Sequence, residues 1–200
     1  MIEPGLNRIA GLVLAGGAGR RMGGPKALLD LGGRTLLAHV TTRLAPQCAM
    51  LAVAAGDNPG LDVLVPTVLP DAVAGGAGPL AGILAGLEWL PATGCDWLLS
   101  APVDGPFLPP DLAGRLLSAA GEAARIVTAA SGGRAHHTTA LWHASLAVPM
   151  RRYLAEGGRA VHRFIAAHPP ATVVWPGGRD DPFANINTPE DLERARLRLD

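Results

Sequence analysis

Apolar residues come in short blocks, and most blocks close on glycine, proline or aspartate. Such runs fit strands buried on both faces. Residues 9–14 (IAGLVL), 50–55 (MLAVAA), 63–69 (VLVPTVL, broken by Pro66) and 96–100 (DWLLS) are predicted strands. The segments between them carry apolar residues at helical spacing. A helix is predicted over 35–44 with Thr35 as its cap, a second over 79–90 opened by Pro79, and a third over 109–120. Residues 26–34 read as a short extended piece with a tight turn at Gly32 and Gly33. Farther on, 125–130 and 138–142 are predicted strands flanking a Gly132–Gly133 turn, followed by helices over 145–155 and 161–168 and a strand over 172–175. Thr188, Pro189 and Glu190 open a last helix, with threonine as cap and proline in the first turn.

Strands alternating with helices predict an α/β fold: a three-layer, Rossmann-like architecture with a mostly parallel central sheet and right-handed crossovers. Ligands of such sheets bind beyond the carboxyl ends of the strands. The loop after the first strand, Asp71 after the third and Asp104 after the fourth all fall at that edge. At 200 residues, with no linker, repeat or low-complexity segment, the chain reads as a single domain over 1–200.

The loop, residues 14–26, reads LAGGAGRRMGGPK. It holds five glycines, two arginines and a lysine, with no acidic residue. Glycines let backbone N–H groups approach a ligand closely, and the cations add positive charge, which together describe a polyphosphate cradle. Lys26 is the only lysine; the other sixteen basic residues are arginine. A compact ammonium is kept at the one place where a planar guanidinium is a poor substitute. The P-loop pattern requires Gly-Lys-Ser/Thr, and here Pro25-Lys26-Ala27 stands instead. The dinucleotide pattern G-x-G-x-x-G, begun at Gly17 and Gly19, meets Met22 at its third glycine. What remains, L-A-G-G-x-G-x-R-M-G-x(2)-K, resembles the signature of nucleotidyltransferases that join an NTP to a phosphorylated acceptor and release pyrophosphate.

The formal net charge is zero, which gives no support to a nucleic-acid or membrane-surface partner. Cys48 and Cys95 have neither metal nor redox spacing and read as small buried residues of a reduced, cytoplasmic protein. The N-terminus lacks signal-peptide character, and no apolar run is long enough to span a membrane.

Chemistry then falls to a few side chains. Asp104, in the stretch APVDGP, suits Mg2+, whose hard-oxygen preference is met by a carboxylate, water and phosphate oxygens. Asp71 is placed to contact the nucleotide or complete the metal site. Arg21 and Lys26 would stabilise the α-phosphate and the departing pyrophosphate, while Arg20 reads as solvent-exposed. His136, His137 and His143 lack metal-ligand spacing and read as polar or substrate-facing, and His39 as structural. Asn185 and Asn187 alternate in an extended segment and would present two amides on one side.

Together, LAGGAGRRMGGPK at 14–26, PDAVAGGAGPLAGI at 70–83, APVDGPFLPPDL at 101–112, HHT at 136–138, EGGRAV at 156–161 and FANINTPEDL at 183–192 resemble the molybdenum cofactor guanylyltransferases, the MobA family. The resemblance implies the nucleotidyltransferase fold, with residues 8–112 binding nucleotide and 125–200 completing the acceptor site. It implies that Leu14, Ala15, Gly16, Gly17, Lys26, Asp71 and Asp104 hold GTP, that Asp104 holds Mg2+, and that Arg159, Asn185 and Asn187 face the pterin of the molybdenum-molybdopterin substrate. Client molybdoenzymes and their chaperones are the implied recipients of the product. Members often carry an asparagine at the end of the second strand; here residues 51–55 read LAVAA. A molybdopterin cytidylyltransferase or another small-phosphate nucleotidyltransferase on the same fold, and a non-catalytic nucleotide-binding or cofactor-binding module, remain the alternative readings.

Overall fold

A computed structural model describes residues 5–16, 24–56, 61, 67–73, 78–121 and 123–199. Its elements in order are β1 (Ile9–Leu14), β2 (Asp30–Leu31), β3 (Arg34–Thr35), α1 (Leu36–Leu44), β4 (Met50–Ala54), β5 (Val68–Leu69), α2 (Pro79–Thr93), β6 (Trp97–Pro102), α3 (Leu112–Ala120), β7 (Ile126–Ser131), β8 (Arg134–His143), α4 (Ala147–Ala155), α5 (Val161–Ala167), β9 (Ala171–Trp175) and α6 (Pro189–Arg196).

Seven strands form one sheet in the order β5-β4-β1-β6-β8-β7-β9, and β2 and β3 pair in a small hairpin. Only β8 runs against its neighbours; the other adjacent pairs are parallel. The three-layer, mostly parallel sheet expected from the sequence is therefore observed. The tight turn at Gly132 (φ 54°) and Gly133 (φ 77°) makes β7 and β8 an antiparallel hairpin, since glycine enters the left-handed region without steric cost.

Strand alternation divides the core into two layers. Ile9 and Val13 of β1 pack with α1, α3 and Ala195 of α6, whereas Ala10 and Leu12 face α2, α4 and α5. Helix α2 lies unusually close to the sheet. A Cβ on Gly82 would stand 2.9 Å from Ala54 Cβ and 3.0 Å from Leu14 Cδ2, and one on Gly86 would stand 2.7 Å from Leu98 Cδ2. These two glycines, one helical turn apart, let the helix rest on β1, β4 and β6 and bring its N-terminus to the carboxyl edge.

Local sequence accounts for several boundaries. Thr35 caps α1 by accepting from Ala38 N at 3.1 Å. Thr188 and Asp191 form a reciprocal capping box at α6. Helix α3 begins at Leu112 rather than at residue 109; Pro109 is followed by Pro110, and a residue before proline is pushed out of helical conformation. Strand β8 is longer than the predicted 138–142, and residues 26–28 form a 3-10 turn rather than extended chain. Of the predicted third strand, residues 68–69 are observed; 63–66 lie outside the described residues.

Cys48 and Cys95 are both free and buried. Burial, with the neighbouring Cys95, pushes the Cys48 thiol up to about 12. His39 Nε2 lies 2.7 Å from Leu31 O and ties α1 to the β2–β3 hairpin, a structural role.

Candidate active site

The carboxyl ends of the strands surround a cavity of about 330 Å³. Its lining follows the strand order: Ala54 and Gly56 after β4, Leu14 and Gly16 after β1, Pro102 to Asp104 after β6, and Thr138 from β8. Asp71 and the first turn of α2 (Pro79 and Gly82, with the preceding Gly78) close one wall. The edge is knit by main chain, with Ala15 N donating to Ala54 O at 2.8 Å and Val103 N to Leu14 O at 3.0 Å. Gly16 and Gly56 meet backbone to backbone: a Cβ on Gly56 (φ 56°) would lie 3.0 Å from Gly16 Cα and 3.6 Å from Asp71 Oδ2. Main-chain donors at a helix N-terminus favour anions, and the start of α2 opens on this space.

The charged centre is Lys26. Its Nζ donates to Asp104 Oδ2 at 2.7 Å and to Asn187 Oδ1 at 2.6 Å. The Lys26 and Asp104 side chains are only 18% and 16% exposed. An ammonium has three N–H bonds, so these contacts leave one for a phosphate oxygen. The other carboxylate oxygen, Asp104 Oδ1, is buried and has no hydrogen-bond partner among the described residues. An orphaned hard oxygen at a residue lining the cavity fits a divalent cation such as Mg2+, which completes its shell with water and phosphate oxygens. No cluster of three or more His, Cys, Asp or Glu side chains able to hold a metal occurs among the described residues.

Distant chain segments converge here. Ile186 N donates to Asp104 O at 2.8 Å, and Ile186 is buried, so residues 185–187 lie along the Asp104 turn. Asn187 reaches Lys26, whereas Asn185 Oδ1 lies 3.6 Å from the Cβ position of Gly105 and lines a neighbouring cleft with Arg179, Arg194 and Arg198. Arg159 is not among the residues lining this cavity. Its Nη1 donates to Leu154 O and Gly158 O at 2.8 and 2.7 Å, closing the C-terminal end of α4. Leu14, Gly16, Lys26, Asp71 and Asp104 thus share one cavity, and Ala15 is buried next to it. Gly17, Arg20 and Arg21 lie outside the described residues.

Sequence reasoning missed Ser131 and Asp181. Ser131 Oγ lies 2.8 Å from both Asp181 carboxylate oxygens and 2.8 Å from His136 Nε2. Asp181 Oδ1 also accepts from Phe183 N, and the His136 ring lies against Phe183. This knot fastens the start of the segment that ends at Asn187. Burial holds the His136 pKa below the usual histidine range, opposed by the Asp181 carboxylate and reinforced by Arg134 and His137. His143 is lowered too, first by burial and then by Arg125. Below about pH 6.5 the unfolded chain therefore binds more protons than the folded one, and stability falls as the pH drops. Thermal unfolding followed from about pH 7.5 to about pH 5 should show a falling midpoint. His136→Gln should flatten part of that fall; an unchanged slope would remove His136 from it.

A family profile described as MobA-like NTP transferase domain matches residues 11–172. The chain belongs to this family. Among its curated relatives is a molybdenum cofactor guanylyltransferase from Rhodopseudomonas palustris strain BisB5, 49% identical over 94% of this chain and 93% of the relative. Another, from Cereibacter sphaeroides, is 47% identical over 96% of this chain and 97% of the relative. Among solved structures, molybdopterin-guanine dinucleotide biosynthesis protein A from Archaeoglobus fulgidus superposes with a TM-score of 0.74 at 24% identity, covering 95% of this chain and 98% of that one. The 2-C-methyl-D-erythritol 4-phosphate cytidylyltransferase from Thermus thermophilus gives 0.69 at 22% identity, covering 94% and 97%. These two likenesses show a shared fold.

Proposed function

We propose that the protein transfers GMP from GTP to the terminal phosphate of molybdenum-molybdopterin, yielding the guanine dinucleotide form of the cofactor and pyrophosphate. Near full-length identity of 45–49% to several molybdenum cofactor guanylyltransferases carries this reading. The cavity's chemistry agrees with it.

The nucleotide occupies the side bounded by β4, β1 and α2, where Gly16, Gly56 and the first turn of α2 leave the backbone open to phosphates. Asp71 holds the nucleoside end. Lys26 uses its remaining N–H on a phosphate oxygen and offsets the charge that builds as the acceptor phosphate oxygen attacks the α-phosphorus. One P–O bond forms to the acceptor, the bond from the α-phosphorus to the bridging oxygen breaks, and pyrophosphate leaves with that electron pair. No protein nucleophile is needed, and positioning with electrostatic stabilisation carries the catalysis. Asp104 would hold Mg2+, which when bound neutralises phosphate charge. Asn187 keeps the Lys26 ammonium in place from the acceptor side. The cytoplasmic assignment is part of this proposal and is supported by the two free, buried cysteines.

Pyrophosphate release should be followed with molybdenum-loaded molybdopterin, Mg2+ and each of GTP, CTP, ATP and UTP. Release with GTP alone is expected. Release with CTP instead would make the protein a cytidylyltransferase, and nucleotide binding without release would make it a binding module.

A further inference from the structure

The β8 strand carries a defect beside the cavity. Thr128 of β7 pairs with Ala140, but the next residue, Ala129, pairs with His136, so residues 137–139 have no partner on β7. On the other side, pairing with β6 stops at Ser100 opposite Ala140, although β6 continues to Pro102. The three residues therefore leave both ladders together. Bulges of this kind re-aim side chains, and they concentrate next to active sites.

This bulge is held in shape. Ser100 Oγ, fully buried, donates to Thr138 O at 2.8 Å and lies 3.3 Å from Ala140 O. It accepts from Trp142 Nε1 at 2.8 Å, and Trp142 is also fully buried. A core tryptophan and a core serine thus fix the main chain at Thr138, which lines the cavity. No hydrogen bond to the Thr138 hydroxyl is made by any of the described residues. The only two buried side-chain polar atoms without a partner among the described residues are Asp104 Oδ1 and His137 Nδ1, one in the cavity and one in the bulge.

We propose that Thr138 is a substrate-contacting residue whose hydroxyl hydrogen-bonds the terminal phosphate of the acceptor. This rests on the nucleotidyl-transfer reading above. Strand order supplies the direction of approach. Nucleotide fills the β4–β1 end, Asp104 and Lys26 stand at β6, and Thr138 on β8 lies one strand beyond them. A phosphate entering from the β8 side meets Thr138 before it meets the α-phosphorus. A hydroxyl donating to a phosphate oxygen there orients the nucleophile without removing its charge.

Steady-state kinetics of Thr138→Val and Thr138→Ser test this, with GTP affinity measured by titration calorimetry. Thr138→Val should lower kcat/KM for molybdenum-molybdopterin by about ten- to a hundredfold. GTP affinity should stay at the wild-type level, and Thr138→Ser should restore most of the loss. The proposal is overturned if Thr138→Val keeps wild-type kcat/KM, if it weakens GTP as much as the acceptor, or if the serine variant is as impaired as the valine variant. A wild-type protein that binds GTP but transfers nothing would overturn the transfer reading itself, and this proposal with it.

Discussion

Lys26→Ala is expected to lower turnover about a hundred- to a thousandfold while the fold stays intact, the usual loss when a positioned charge-stabilising donor is removed. Lys26 bridges Asp104, on the loop after β6, and Asn187, just before α6. Its removal takes one positive charge from the reacting phosphates and leaves the largely buried Asp104 carboxylate without its cation. Asp104→Asn should cost a comparable amount, because several kcal/mol of transition-state charge stabilisation pass through that carboxylate. The two residues share one contact, so the double variant should fall well short of the product of the single losses. Lys26→Arg should recover little, since a planar fork does not reproduce a point charge held between two oxygens at 2.7 and 2.6 Å. The check is kcat for pyrophosphate release at saturating GTP and acceptor. Near wild-type turnover in Lys26→Ala would sink the role given to this residue.

The sequence made that residue visible by composition: a single lysine among sixteen arginines, after a glycine-rich loop. It could not make the partners visible, because Asn187 is 161 positions away and the contact exists only once β1, β6 and α6 are packed. The strands feeding the carboxyl edge were legible for a local reason. β1, β4 and β6 are short apolar runs closed by turn residues, a pattern that survives tertiary context. The bulge in β8 was not, since His136, His137, Thr138 and Thr139 have no apolar alternation to read and departure from two ladders is a non-local event. Arg159, placed toward the pterin only by resemblance, makes hydrogen bonds at the C-terminal end of α4 in the fold. Ala54, at the end of β4, lines the cavity. Its small side chain matches the close seat of Gly82, whose own Cβ would have collided with it.

The largest expected loss of stability lies in Trp142, and it reports on the site as well as the core. Trp142→Ala should destabilise the protein by about 3–5 kcal/mol, from the cavity left by a fully buried indole. Against a typical total of about 5–15 kcal/mol, that brings the fold near its limit. Trp142→Phe separates the two functions of the side chain. It keeps most of the apolar volume but removes the N–H that Ser100 Oγ accepts, and a buried acceptor left unmatched costs about 1–3 kcal/mol. Ser100 would then be free to reorient, and the main chain at Thr138 would lose the fixed point supplied by the 2.8 Å bond to its carbonyl. Urea unfolding followed by circular dichroism should show the smaller stability loss. Kinetics on the same variant should show a raised KM for the acceptor with GTP affinity unchanged. If Trp142→Phe lost stability but kept the acceptor KM, the indole would serve the core alone and the bulge would hold its shape through the Ser100 hydroxyl without it.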